Sequence, residues 1–146
     1  MTGVQTCALP IYCAPFEEMA QRINQSPSPS SEIIALDTAN SDGVVFTSML
    51  RDKGAVVLLK DDADAQRVLA AATTVRTIWL WRNTHDISAD RFVSRLEAQL
   101  ASRFHATRWL YQPYSPADRL MIRFFGWPDQ PTHFYEILEM HPEGSK

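Results

Sequence analysis

The chain is short of glycine and cysteine, carries no basic stripe and contains no long apolar run. Its 146 residues include five glycines, and Gly43 and Gly54 each stand alone, outside any GxGxxG or Walker spacing. A glycine-rich cradle for phosphates is therefore excluded. Of the two cysteines, Cys7 and Cys13, only Cys13 lies beyond the first eleven residues. One cysteine makes neither an intramolecular disulfide nor a cysteine-built metal cage. No apolar segment approaches the roughly 18 residues of a membrane helix. The net charge of −3 comes without a run of Lys and Arg, which argues against a nucleic-acid partner. His105, His133 and His141 lack the i, i+4 spacing of a helical metal pair. No serine sits in a nucleophile elbow. No catalytic residue, metal site or cofactor motif is expected.

What is present has to be separated into two parts. Met1–Ile11 matches the translation of a common short-read sequencing adapter read from a GTG start. It has no basic n-region and no sustained apolar h-region, so it makes a poor signal peptide. We expect residues 1–11 to be an adapter-derived artefact, residues 12–142 to form a single soluble α/β domain, and residues 143–146 to be a disordered tail.

The chain then reads as alternating elements. Pro15 to Ile23 suits a helix, with proline at its start, Glu17 and Glu18 in the first turn, and Phe16, Met19, Ala20 and Ile23 on one face. A Ser/Pro stretch, Ser26–Ser31, breaks it. Glu32 to Leu36 is a compact apolar strand. Val44 to Arg51 has a β-branched start, yet Val45 with Met49 and Phe46 with Leu50 suit a helix, which we expect. Ala55 to Leu59 is a second strand. Asp61-Asp62 opens a helix whose Ala65, Val68, Leu69 and Ala72 face inward. Arg76 to Trp81 has the β-branched and aromatic composition of a strand buried on both faces. A helix from Ser88 to Phe104 follows, with Ser88 as N-cap, Ile87 and Phe92 as a staple, and Phe92, Val93, Leu96, Leu100 and Phe104 as its buried stripe.

Strand and helix alternate three times, which predicts right-handed crossovers and a parallel sheet. Thr107–Tyr114 and Arg119–Gly126 read as an antiparallel hairpin across Ser115-Pro116-Ala117-Asp118. Phe134–Met140 reads as a final edge strand. The expected fold is α/β: a three-layer sandwich, parallel strands with crossover helices, then a C-terminal antiparallel hairpin.

Two clusters have chemistry to offer. Asn83, His85 and Asp86 follow the central strand, where ligands gather in open α/β sheets. An imidazole beside a carboxylate can act as a base or a ligand. The same Asx side chains also satisfy backbone groups in strand-to-helix turns. Asn83, His85 and Asp86 are thus ligand-binding candidates, with the structural reading open beside them. Asp61-Asp62-Ala63-Asp64 holds three carboxylates that suit a hard cation. Carboxylates also collect at helix N-termini for electrostatic reasons, and that is the reading we adopt.

The order of pieces resembles a family. The Pro15-Phe16-Glu17-Glu18-Met19-Ala20 helix, the strand Arg76-Thr77-Ile78-Trp79-Leu80-Trp81, the turn Asn83-Thr84-His85-Asp86-Ile87-Ser88 and the segment Tyr114-Ser115-Pro116-Ala117-Asp118-Arg119 carry the likeness. Together they look like the C-terminal domain that follows the last membrane helix of bacterial polytopic glycosyltransferases, similar to dolichyl-phosphate-mannose-protein mannosyltransferases. The resemblance implies a parent enzyme moving sugar from a polyprenyl-phosphate donor to an acceptor. Its partners would be the membrane-embedded part of the same chain, the donor and the acceptor. Its place would be the extracytoplasmic face of the bacterial cytoplasmic membrane. The family's acidic catalytic residues lie in a loop with no counterpart here, so none maps onto this chain. The alternative is a free-standing module that binds a small ligand or a partner without catalysis.

Overall fold

The computed structural model describes residues 15–26, 31–37, 42–51, 56–83, 87–111, 120, 123–125 and 135–144. Along the chain come α1 (Phe16–Asn24), β1 (Glu32–Asp37), α2 (Asp42–Met49), β2 (Val56–Leu59) and α3 (Asp62–Ala71). They are followed by β3 (Thr77–Asn83), α4 (Ile87–Leu100), β4 (Phe104–Tyr111) and β5 (Tyr135–Pro142). The strands form one sheet in the order β2-β1-β3-β5-β4. β1 is parallel to β2 and to β3, while β5 is antiparallel to β3 and to β4.

Helices cover both faces, giving three layers. Residues two apart on a strand point to the same face, and the packing follows that alternation. Ile33, Ala35, Ile78, Leu80, Leu138 and Met140 bury against Ala65 and Val68 of α3 and Val93, Leu96 and Leu100 of α4. Ile34, Leu36, Trp79, Trp81, Tyr135 and Ile137 bury against Met19, Ala20 and Ile23 of α1 and Phe46 of α2. The expected α/β sandwich is therefore present.

The connections explain how one sheet acquires two covered faces. From β1 the chain moves outward through α2 on one face, and from β2 it returns over β1 through α3 on the other. Reversing both direction and face keeps the hand of the two crossovers the same, as parallel units require. β1 and β3 are neighbours whose connections leave to opposite faces. Their carboxyl ends thus form a topological switch point.

Local chemistry fixes the helices. Pro15 precedes α1, and its carbonyl accepts from the Met19 amide at 3.1 Å. Asn24 ties α1 to the end of α2, donating to the Met49 carbonyl at 3.1 Å and accepting from the Arg51 amide at 2.9 Å. The ambiguous Val44 segment is helical: Phe46 is buried, while Val44, Val45 and Met49 are exposed. Asp61 caps α3 by accepting from the Asp64 amide at 3.0 Å. Asp64 reaches back to the Lys60 amide at 2.9 Å, a reciprocal cap. Asp62 pairs with Arg95 at 2.5 Å. Asp61 and Asp64 thus act as the helix-cap reading expects, while Asp62 is held by Arg95 of α4.

Three expectations are corrected. α4 begins at Ile87, before Ser88, and ends at Leu100, so Ser88 lies within the helix and Phe104 opens β4. Phe104 is buried all the same, from a strand instead of from the helix stripe. The antiparallel partner of β4 is β5, and the part of Arg119–Gly126 that lies among the described residues is not a strand: Leu120, Arg123 and Phe124 are helical, and Leu120 and Phe124 are exposed. The third concerns the last strand. β5 is not an edge, because it lies between β3 and β4, and β4 takes the edge. Burial decides this. A strand in the β5 slot has both faces covered, and Tyr135, Glu136, Ile137, Leu138 and Met140 are all buried there.

Candidate functional site

The sheet delivers its carboxyl end at Trp81-Arg82-Asn83, where Asn83 pairs with Tyr135 as the last register of β3. That is the place expected for the candidate site. The side chain of Asn83, and His85 and Asp86 entirely, lie outside the described residues. What is described are the two walls beside them.

One wall faces α4 and is ionic. Arg82, Glu136 and Arg108 come from three neighbouring strands. Glu136 is 1% exposed. Arg82 donates through Nε to Glu136 Oε2 and through Nη1 to Ser94 Oγ at 3.0 Å. Arg108 Nη1 reaches Glu136 Oε1 at 2.9 Å, and its Nη2 reaches Glu97 Oε1 at 2.8 Å. Glu97 Oε2 lies 3.8 Å from Arg82. The result is a closed circuit of two arginines and two glutamates. It straps β3, β5 and β4 to α4. Neither Arg82 nor Glu136 stands out in the sequence. A single adjacent charge in an otherwise apolar run, as at Trp81-Arg82 and Tyr135-Glu136-Ile137, is the signal that points to a buried pair.

The other wall is aromatic. Trp81 stacks on Phe46 with centroids 5.7 Å apart and on Tyr135 at 5.8 Å. Phe16 of α1 meets Tyr135 edge-on at 5.5 Å. Such pairs add specific attraction to the burial of their area. The Trp81 indole N–H is buried and has no hydrogen-bond partner among the described residues. Trp79, two residues earlier on the same face, is different: its N–H donates to Glu32 Oε2 at 2.9 Å. Glu32 also accepts from Ser26 Oγ.

Farther along that face, Arg22 of α1 lies over the Trp109 ring, 3.2 Å from its centroid. Trp109 donates to Glu139 Oε2 at 2.9 Å. Burial pushes the Tyr111 phenol above its ordinary range, with nearby Arg22 opposing. At α3 the Lys60 amide holds the Asp64 carboxyl below the usual carboxylate range against the opposing effect of burial, with Arg67 assisting. Among the described residues, no three His, Cys, Asp or Glu side chains are grouped to hold a metal ion. None of their helices is long and apolar enough to cross a membrane.

Searches against family models, curated proteins and solved structures find no match to this chain.

Proposed function

We propose that this chain is an extramembrane accessory domain of a polytopic glycosyltransferase whose membrane part transfers sugar from a polyprenyl-phosphate donor. The observation that carries the accessory role is the saturation of Glu136. Sugar transfer needs a carboxylate free to take a proton and a cation free to receive the leaving phosphate. At this end of the sheet each Glu136 oxygen already accepts from a guanidinium, and Arg82 and Arg108 are spent on carboxylates. Those groups brace the sheet. The extracytoplasmic placement, and the donor, acceptor and membrane part as partners, come from the sequence resemblance.

The source DNA upstream of the Tyr12 codon tests this reading. Several apolar segments of about 20 residues in the same frame are expected. A start codon shortly before Tyr12 with no such segments would remove the membrane enzyme from consideration.

A second reading has one observation in its favour. The switch point between β1 and β3 is where open α/β sheets bind small ligands, and the Trp81 N–H, which has no partner among the described residues, lies on β3 beside it. A free-standing ligand-binding module would use that end with Asn83, His85 and Asp86.

A further inference from the structure

We infer that Leu120, Arg123, Phe124 and Phe125 form a contact surface for an anionic phospholipid bilayer. The inference names a partner for the membrane-enzyme reading and rests on it for its setting. Leu120 is 67% exposed, Phe124 80% and Phe125 54%. The two phenyl rings meet edge-on, 5.4 Å apart. Arg123 is exposed beside them in the same turn. In sequence, Arg119 and Arg123 frame Leu120-Met121-Ile122, with the nearest acidic residues at Asp118 and Asp129, in a protein of net charge −3.

The chemistry fits a lipid interface. Phenylalanine and leucine side chains enter the boundary between headgroups and acyl chains, while arginine contacts the phosphates. Each cation held near an anionic surface adds an attraction that falls off within a Debye length. α2 offers the contrast needed to choose this partner. It exposes Val44, Val45 and Met49, a comparable apolar set, but its sequence contains no basic residue and begins with Asp42. Among the described residues, Phe124 and Phe125 are the only large exposed aromatic side chains, and Arg123 stands beside them.

Flotation of the whole chain with vesicles of equal phosphatidylglycerol and phosphatidylcholine tests the inference. The chain is expected to float with these vesicles and only weakly with pure phosphatidylcholine. Replacing Phe124→Ser together with Phe125→Ser should lower the partition coefficient at least about tenfold. Arg123→Gln should lower it about fivefold. Val45→Ser with Met49→Ser serves as the control and should leave it unchanged. All of these side chains are exposed, so thermal midpoints should stay in place and confirm folding. No flotation, equal flotation with neutral vesicles, or an equal loss in the α2 control would each overturn the inference. So would concentration-dependent self-association abolished by the Phe124/Phe125 substitutions, which would make the patch a contact between copies. Vesicle binding without upstream membrane segments would keep this inference and remove the membrane-enzyme reading. Upstream segments without vesicle binding would do the reverse.

Discussion

The two halves of the sheet are held by different means. In the parallel half, β2, β1 and β3 are linked by consecutive β-α units, and their inward positions are apolar on both faces except at the strand starts, where Glu32 and Thr77 are buried. In the antiparallel half, β4 and β5 are adjacent in sequence order, yet residues 112–134 separate them. β5 comes last and fills the slot between β3 and β4. At the carboxyl end of that half, a buried carboxylate and two arginines replace apolar packing. A local half can rely on non-directional burial, because its neighbours arrive with the chain. A half assembled from distant segments gains register from directional ion pairs, since one oxygen of Glu136 meets β3 and the other meets β4. Its register is set by chemistry.

The largest effect should follow from breaking that ionic strap. Glu136→Ala leaves the nearly buried Arg82 guanidinium facing Arg108 without the shared carboxylate. Removing one partner of a buried pair costs about 3–5 kcal/mol. Urea unfolding would measure it, and amide exchange should rise first in β4. A cost under about 1 kcal/mol would mean that packing alone holds β5, and the contrast between the halves would disappear. Leu96→Ala probes the apolar side of the comparison. Leu96 of α4 is fully buried with Ile33, Ala35, Ile78 and Leu80. Its truncation should cost about 2–5 kcal/mol. A loss under about half a kilocalorie would remove α4 from the core.

The same division governs what the sequence discloses. β1, β2 and β3 are legible as apolar runs because both faces are covered, and Asp61 announces α3 as a cap. α2 is equivocal by composition alone, since Val44 and Val45 are apolar on an exposed side. The C-terminal half is misread for a definite reason. A Ser-Pro-Ala-Asp turn invites local pairing of Thr107–Tyr114 with Arg119–Gly126, but pairing is decided by burial across the sheet. Ile137-Leu138, adjacent and both apolar, is the mark of a strand covered on two faces. Of the candidate site, its position at the end of β3 is legible from the change of composition at Arg82-Asn83. The Arg82–Glu136–Arg108 circuit is not, because it joins residues that only the sheet order brings together.

Two tryptophans on the seam strand between the halves give a sharper, smaller test. Trp79→Phe and Trp81→Phe delete the same atoms from buried sites on one face of β3. Trp79→Phe also takes a donor from the buried Glu32 carboxylate, whereas Trp81→Phe removes an N–H with no partner among the described residues. Trp79→Phe should therefore be the more destabilising by about 1–3 kcal/mol, the cost of a buried group left unsatisfied. Equal losses would indicate that Trp81 has an acceptor, and Glu32 would cease to be a specific anchor of the parallel half.

The smallest expected effects set the pH limits of the two halves, and they have opposite signs. Asp64, in the parallel half, is depressed chiefly by the Lys60 amide. A depressed carboxyl contributes stability above its ordinary pKa, about 4, and loses it as the pH falls through the lower folded value. Asp64→Asn should then be less stable than the parent near neutral pH, with the gap closing under acid. Tyr111, in the antiparallel half, is raised chiefly by burial. At neutral pH its phenol is protonated whether the chain is folded or not. As the pH climbs past the unfolded value, about 10, the unfolded chain loses its proton first and gains in stability. Tyr111→Phe should remove that alkaline loss and leave the acid limb alone, while Asp64→Asn should do the converse. Urea midpoints from about pH 3 to pH 11 would separate the two limbs. An acid limb unchanged in Asp64→Asn would show that the Lys60 amide bond does not distinguish folded from unfolded chain. An alkaline limb unchanged in Tyr111→Phe would show that the end of β4 is open to water.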